Sequence, residues 1–319
     1  MSISIITNCT GRKRDIGTDP LEPTELETHG LSDLATLWVK RVKQASVRVA
    51  PLDLYQGRSF AECRTAARLT AAEFYVISAG LGLVHADELV PNYSLTISEG
   101  SGSLQNWLAR QNASSSHWWQ ALCEALGTTS PLSNLINSQP GHSQVFIALP
   151  ASYLGMVASD LSLVQTDRVK NIRIFTSTAG AHTLPSSLQS AVMPYDDRLE
   201  GIANHDGTRS DFPHRALKHF VAELQGHKLK IAPAKASVQN AMDNSTRRVV
   251  PNRERATDNQ IGDLIQANWA AYDGSASKLL RYLRDEVLVA CEQSRFSGIW
   301  RKIKEEKLSK GATNVKRKH

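Results

Sequence analysis

Apolar and polar positions follow two periods along the first two thirds of the chain. Short apolar or β-branched runs at residues 2–7, 47–51, 74–77, 145–149 and 172–176 predict strands. Between them, apolar residues three and four apart predict helices over 31–43, 59–72, 104–126 with a break near 112–116, 153–163 and 212–224. Asp211 stands where the last of these needs a cap, with Pro213 in its first turn. Strand and helix in regular succession with short links predict an α/β domain: a mostly parallel central sheet with helices on both faces.

The pattern changes after residue 227. Residues 228–256 are polar, hold Pro233, Pro251 and the basic pair Arg247-Arg248, and read as a linker. Helical patterns resume at about 258–272, 276–290 and 292–306, giving a small helical module over 257–306. Residues 307–319 are predicted to be a disordered basic tail. The expected organisation is thus an α/β catalytic domain over 1–227, then linker, module and tail.

Charge sharpens that division. The net charge is +6, but residues 1–227 hold 18 Lys/Arg against 21 Asp/Glu, whereas 228–319 hold 19 against 10. A basic tail on a mildly acidic body predicts a polyanionic partner for the tail, with double-stranded DNA the expectation and Lys278, Arg281, Arg284 and Arg295 its contacts. Apolar content of 41% and charged content of 21% are those of a globular chain. No apolar run approaches the roughly 18 residues of a membrane span. The N-terminus reads as a strand rather than a signal peptide. The four cysteines are scattered with no Cys-x-x-Cys, so neither a disulfide framework nor a zinc site is expected, and cytosol is the expected compartment. No protein partner or membrane contact is inferred.

Several motifs are missing. There is no Gly-x-x-x-x-Gly-Lys-Ser/Thr, no His-Glu-x-x-His and no Gly-x-Ser-x-Gly. Gly80-x-Gly82 has His85 where a dinucleotide fingerprint needs its third glycine. His214 and His219, five apart, read as surface or core histidines. No cofactor and no metal is expected.

The chemistry-bearing residues left over sit at strand ends. The stretch 73–96 runs from a buried strand through Ser78, Gly80 and Gly82 into His85, Asp87, Asn92, Tyr93 and Thr96, the form in which open sheets build ligand loops. In a parallel sheet this loop, residues 8–13 and the Asp53–Tyr55 segment converge on one rim. There Asn8 suits a base edge, Thr10 and Gly11 a phosphate or sugar, Arg12 and Lys13 its charge, and Tyr55 or Tyr93 a base face. Asp53 or Asp87 suits the carboxylate that stabilises an oxocarbenium-like sugar or directs water to it. A second cluster at 195–215 is dense in Asp and His; from it Asp197 and His205 are candidates for ligand binding and Arg215 for a phosphate.

The order Asn8-Cys-Thr-Gly-Arg-Lys, Asp53-Leu-Tyr-x-Gly-x-x-Phe60, Ser78-Ala-Gly-Leu-Gly-Leu-Val-x-x-Asp87 with Pro91 and Tyr93, then Gly207-Thr-x-x-Asp-Phe-x-x-Arg-Ala216, resembles the bacterial YaaA-like family over most of residues 5–220. Family members usually carry Pro directly before the tyrosine; here Asn92 intervenes. Relatives in this neighbourhood are similar to uracil-DNA-glycosylase-like α/β domains, among them an anti-phage glycosylase that removes glucosylated hydroxymethylcytosine. The resemblance implies a DNA glycosylase that flips a modified base, possible phage DNA included, and leaves an abasic site. A non-catalytic DNA-binding stress or defence protein, or an enzyme processing nucleosides or RNA bases, are the alternatives.

Overall fold

The computed structural model describes residues 2–23, 30–98, 102–247 and 252–315, with side chains up to residue 307. They divide into two compact units, Met1–Arg248 and Val249–His319.

The first unit is built on a five-stranded sheet. Its strands are β1 (Ile3–Asn8), β2 (Glu73–Ser78), β3 (Gly82–His85), β4 (Gln144–Ala148) and β5 (Ile172–Phe175), in the order β3-β2-β1-β4-β5. Four run parallel; β3 turns back antiparallel on β2, with Ser78 opposite Gly82 and Tyr75 opposite His85. Gly82 makes that hairpin possible, since its φ of 74° is strained for any residue with a Cβ. β1 is buried along its whole length, as a central strand covered on both faces must be.

The helices are α1 (Leu31–Gln44), α2 (Pro51–Leu54), α3 (Arg58–Thr70), α4 (Gln105–Arg110), α5 (Ser115–Leu126), α6 (Pro131–Ser138), α7 (Ala151–Leu161), α8 (Thr178–Thr183), α9 (Phe212–Ala222) and α10 (Ile231–Asp243). From β1 the chain moves outward to β2, then returns past β1 to β4 and β5. Right-handed crossovers in opposite directions put α3 on one face and α5 and α7 on the other. The packing agrees: α3 pairs with α9, and α1 and α7 pair with α5. The break expected near 112–116 is present, with Asn112 in the left-handed region and Ser114 capping α5 through the His117 amide.

Three expectations are corrected. Residues 47–51 form no sheet strand: Val49 exchanges both backbone hydrogen bonds with Val90, and Pro51, whose fixed φ suits a first helical position, opens α2. The presumed linker 228–256 contains α10, which buries Ala234, Val238 and Met242 in the core of the first unit. The third strand end of the rim is a hairpin, so residues after β3 emerge at the opposite edge of the sheet from those after β1, β2 and β4.

The second unit contains α11 (Asp258–Ala267), α12 (Ala276–Arg281), α13 (Gln293–Val315) and a two-residue parallel ladder of β6 (Glu254–Arg255) with β7 (Val289–Ala290). Thr257 and Gln260 form a capping box at the start of α11. Its small core gathers Ile261, Ile265, Leu279, Leu283, Phe296 and Ile303 among others. α13 continues to Val315, past the point where the sequence pattern ends, and the last four residues of the expected tail lie outside the described residues. Among the described residues no helix is long and apolar enough to cross a membrane.

Candidate functional site at the strand-order switch point

Strand order reverses between β1 and β4, and the chain leaves their carboxyl ends toward opposite faces. Open α/β sheets hold a crevice at that position. Here it is a cavity of about 740 Å³, within the range of small-molecule sites. Its walls are the loop Asn8–Lys13 after β1, the Pro150–Tyr153 turn after β4, the segment from Asn92 to Ser98, and Ser59 and Ser210. Among the described residues seventeen line it: seven are Ser or Thr, Lys13 is the one Lys or Arg, and none is Asp or Glu.

Asn8 ends β1 and lines the cavity with its carboxamide held at both ends. Nδ2 donates to the Cys9 carbonyl at 2.8 Å, and Oδ1 lies 2.9 Å from Nε2 of His214 on α9. Burial drives the His214 pKa down to about 4, so the ring is neutral near pH 7. Because Oδ1 can only accept, the proton sits on Nε2. One N–H of Asn8 and one lone pair of its oxygen stay available to a ligand.

Lys13 lies 4.2 Å from the centroid of the Tyr93 ring. Burial pulls its pKa down, with Cys9 and Glu22 opposing. Tyr93 is fixed from behind. Ser78 Oγ accepts from the Gly80 and Leu81 amides at 3.1 and 3.0 Å and meets Tyr93 Oη at 2.6 Å, which in turn meets Tyr55 Oη at 2.7 Å. With its lone pairs taken by two amides, Ser78 donates its proton to Tyr93. Burial pushes the pKa of both phenols up, so both stay protonated. Gly80 lets this wall close: a Cβ there would lie 3.0 Å from the Tyr93 ring and 3.2 Å from Trp38. On the β4 side, Tyr153 Oη meets Cys9 Sγ at 3.0 Å.

The predicted residues therefore separate. Asn8, Thr10, Gly11, Lys13 and Tyr93 line the cavity. Thr10 spends its hydroxyl on the Arg12 and Gln56 carbonyls and shapes the loop. Tyr55, Ser78 and Gly80 are buried behind Tyr93, Gly82 is buried in the β2–β3 hairpin, and neither Tyr55, 2% exposed, nor Tyr93, under its ammonium, serves as a stacking platform.

The two candidate carboxylates lie elsewhere. Asp53 is exposed on α2, beside Arg12 rather than in the cavity. Asp87 is exposed in the turn after β3, at the opposite sheet edge, with His85 Nδ1 at 3.6 Å. Asp197 is exposed and paired with Arg247 at 2.8 Å. His205 is buried against Glu223. Arg215 is fully buried and cannot meet a phosphate: it binds Asp211 Oδ1 at 2.8 Å, the Thr208 carbonyl at 2.8 Å and the His205 carbonyl. Asp211 stands at the cap position of α9, yet its carboxylate serves Arg215 and the Thr208 amide instead of the helix.

In the second unit, Lys278 pairs with Asp273, Arg295 with Asp258, and Arg284 donates to the Cys291 carbonyl. Arg281 is exposed on the wall of a depression of about 490 Å³. Trp269 and Trp300 stack at 6.1 Å, with Lys307 and Lys304 over their rings.

Sequence reasoning missed Ser152, Tyr153, Ser59, Ser210 and His214. The β4 exit, Leu149-Pro150-Ala-Ser-Tyr153, carried the signal, since a strand ending in polar residues was there to be read. No family, curated protein or solved structure compared with the chain matches it.

Proposed function

We propose that the first unit takes a single nucleotide of DNA into the switch-point cavity and hydrolyses its N-glycosidic bond, leaving an abasic site. The observation that carries this is the cavity itself: nucleotide-sized, rich in hydroxyl and amide side chains, with Lys13 as its one cation among the described residues. Such a lining suits a polyhydroxylated ligand that becomes anionic, which describes a sugar-bearing modified base as its glycosidic bond breaks. The motif resemblance to YaaA-like and glycosylase-like domains points the same way, and glucosylated hydroxymethylcytosine is the substrate it suggests.

In this reading the bond electrons leave with the base, and Lys13 meets the negative charge that develops there. Water adds to the C1′ carbon, and one of its protons ends on the departing base. Asn8, held by His214, accepts from that water through its free lone pair. The positive charge on the sugar is met by the DNA's own phosphates, since among the described residues no carboxylate lines the cavity. The basic second unit holds the duplex.

The test is abasic-site formation on matched duplexes bearing cytosine, uracil, hydroxymethylcytosine or glucosylated hydroxymethylcytosine, read with an aldehyde-reactive probe. Signal on a modified duplex alone supports the proposal and names the base. Binding without abasic sites on any of them supports a second reading, a non-catalytic DNA-binding protein, which the exposed positions of Asp53 and Asp87 favour.

A further inference from the structure

The loop that forms one wall of the cavity has a second side. Residues 12–14 run antiparallel to 54–56: Arg14 N donates to the Leu54 carbonyl at 2.8 Å, Gln56 N donates to the Arg12 carbonyl at 2.9 Å, and Lys13 pairs with Tyr55. In such a ribbon successive side chains point to opposite faces. Lys13 accordingly faces the cavity, and its neighbours Arg12 and Arg14 line a separate depression of about 430 Å³. Across it stand Arg58 and Arg64 at the start and second turn of α3. Arg12, Arg14 and Arg64 are exposed and have no partner among the described residues, while Arg58 is shared with Glu62 at 3.2 Å and the Asn204 carbonyl. Asp53 is the one acidic residue in the lining.

Three guanidiniums without a partner among the described residues, converging on one concavity, repel each other and gain most from a ligand with several separated negative charges. The ribbon and the adjoining Gly57–Ser59 turn are shared by both depressions, with Ser59 on the cavity side and Arg58 on the groove side. An anion in the groove would therefore sit one loop's thickness from a ligand in the cavity. We propose that this groove, built by Arg12, Arg14, Arg58 and Arg64, carries the phosphodiester backbone flanking the nucleotide taken up by the cavity. The inference rests on the nucleotide reading of the cavity and adds a backbone track on the first unit itself, independent of the basic second unit.

The experiment is the salt dependence of binding to a mixed-sequence duplex by the full chain and by Arg12→Ala/Arg14→Ala/Arg64→Ala. Each lost phosphate contact lowers the log–log slope by about 0.9, so the triple variant is expected to lose roughly 2 to 3 in slope and at least about tenfold in affinity near 0.1 M salt. A control with the same charge loss, Lys40→Ala/Lys43→Ala/Arg68→Ala, is expected to change the slope by less than about 1. An unchanged slope in the groove variant, or an equal fall in the control, overturns the groove. The cavity is judged separately by abasic-site formation: its absence in the wild type alongside a lost slope in the groove variant removes the proposed chemistry and leaves the backbone track standing.

Discussion

Asn8 and His214, 206 positions apart in the chain, meet at 2.9 Å where β1 ends under α9. The bond fixes which way the Asn8 amide faces, with Nε2–H of a neutral, buried imidazole as its donor. Asn8→Ala is expected to cut single-turnover abasic-site formation by about 10²-fold or more, in line with the loss of one preorganised polar group. His214→Gln, which can still donate, is expected to retain more activity than His214→Leu. Equal activity in all of them would remove Asn8 from the site.

Lys13, held over the neutral Tyr93 ring, gives the cavity its charge. Burial has already lowered the Lys13 pKa, so the charged form is lost earlier on the alkaline side than for an ordinary lysine at 10.5. Activity is expected to fall as pH rises through that lowered value, and Lys13→Gln to abolish this alkaline limb together with most of the rate. A pH–rate profile of the variant that matches the wild type would contradict it.

Asp53→Asn and Asp87→Asn are expected to leave both activity and DNA affinity within about twofold, because exposed carboxylates outside a site rarely matter by more than a few tenths of a kcal/mol. Abolished turnover in either one would return the carboxylate to the mechanism.

Arg215→Met tests the opposite residue class. The guanidinium is fully buried with Asp211, and removing one member of a buried pair costs about 3–5 kcal/mol because the other charge is left behind. Denaturant midpoints should fall accordingly, while the salt slope of DNA binding stays unchanged.

Two buried histidines set the acid limit of the fold. The His214 and His219 pKa values are both held at about 4 by burial, below the 6.5 of an exposed imidazole. Between these values the unfolded chain binds more protons than the folded one, so stability is full above pH 6.5 and declines as pH falls toward 4. Denaturant unfolding at pH 7.5, 6 and 5 should show a falling midpoint; a flat series would mean that the rings are not buried neutral.

How far the sequence foretold this follows from the range of the forces involved. The apolar runs of β1, β2, β4 and β5 and the helices between them are local signals, and the α/β sheet follows from them. Whether a loop reaches the rim depends on strand direction, which Gly82 decides by turning β3 back; that single reversal sends Asp87 to the far edge. Pairing across long separations was equally hidden. Nothing near Arg215 in sequence distinguishes a buried arginine serving Asp211 and two carbonyls from one reaching for phosphate. Asn8 and Lys13 were legible because they follow directly on a recognisable strand, and Tyr153 would have been by the same logic.

The most direct measurement is a crystal structure of the full chain with duplex DNA whose modified nucleotide carries a 2′-fluorine to slow glycosidic cleavage. The account predicts that nucleotide out of the stack and inside the switch-point cavity, with its base at hydrogen-bonding distance, about 2.7–3.2 Å, from Asn8 or Lys13. A nucleotide left stacked in a duplex held by the second unit alone, with the cavity empty, would contradict it.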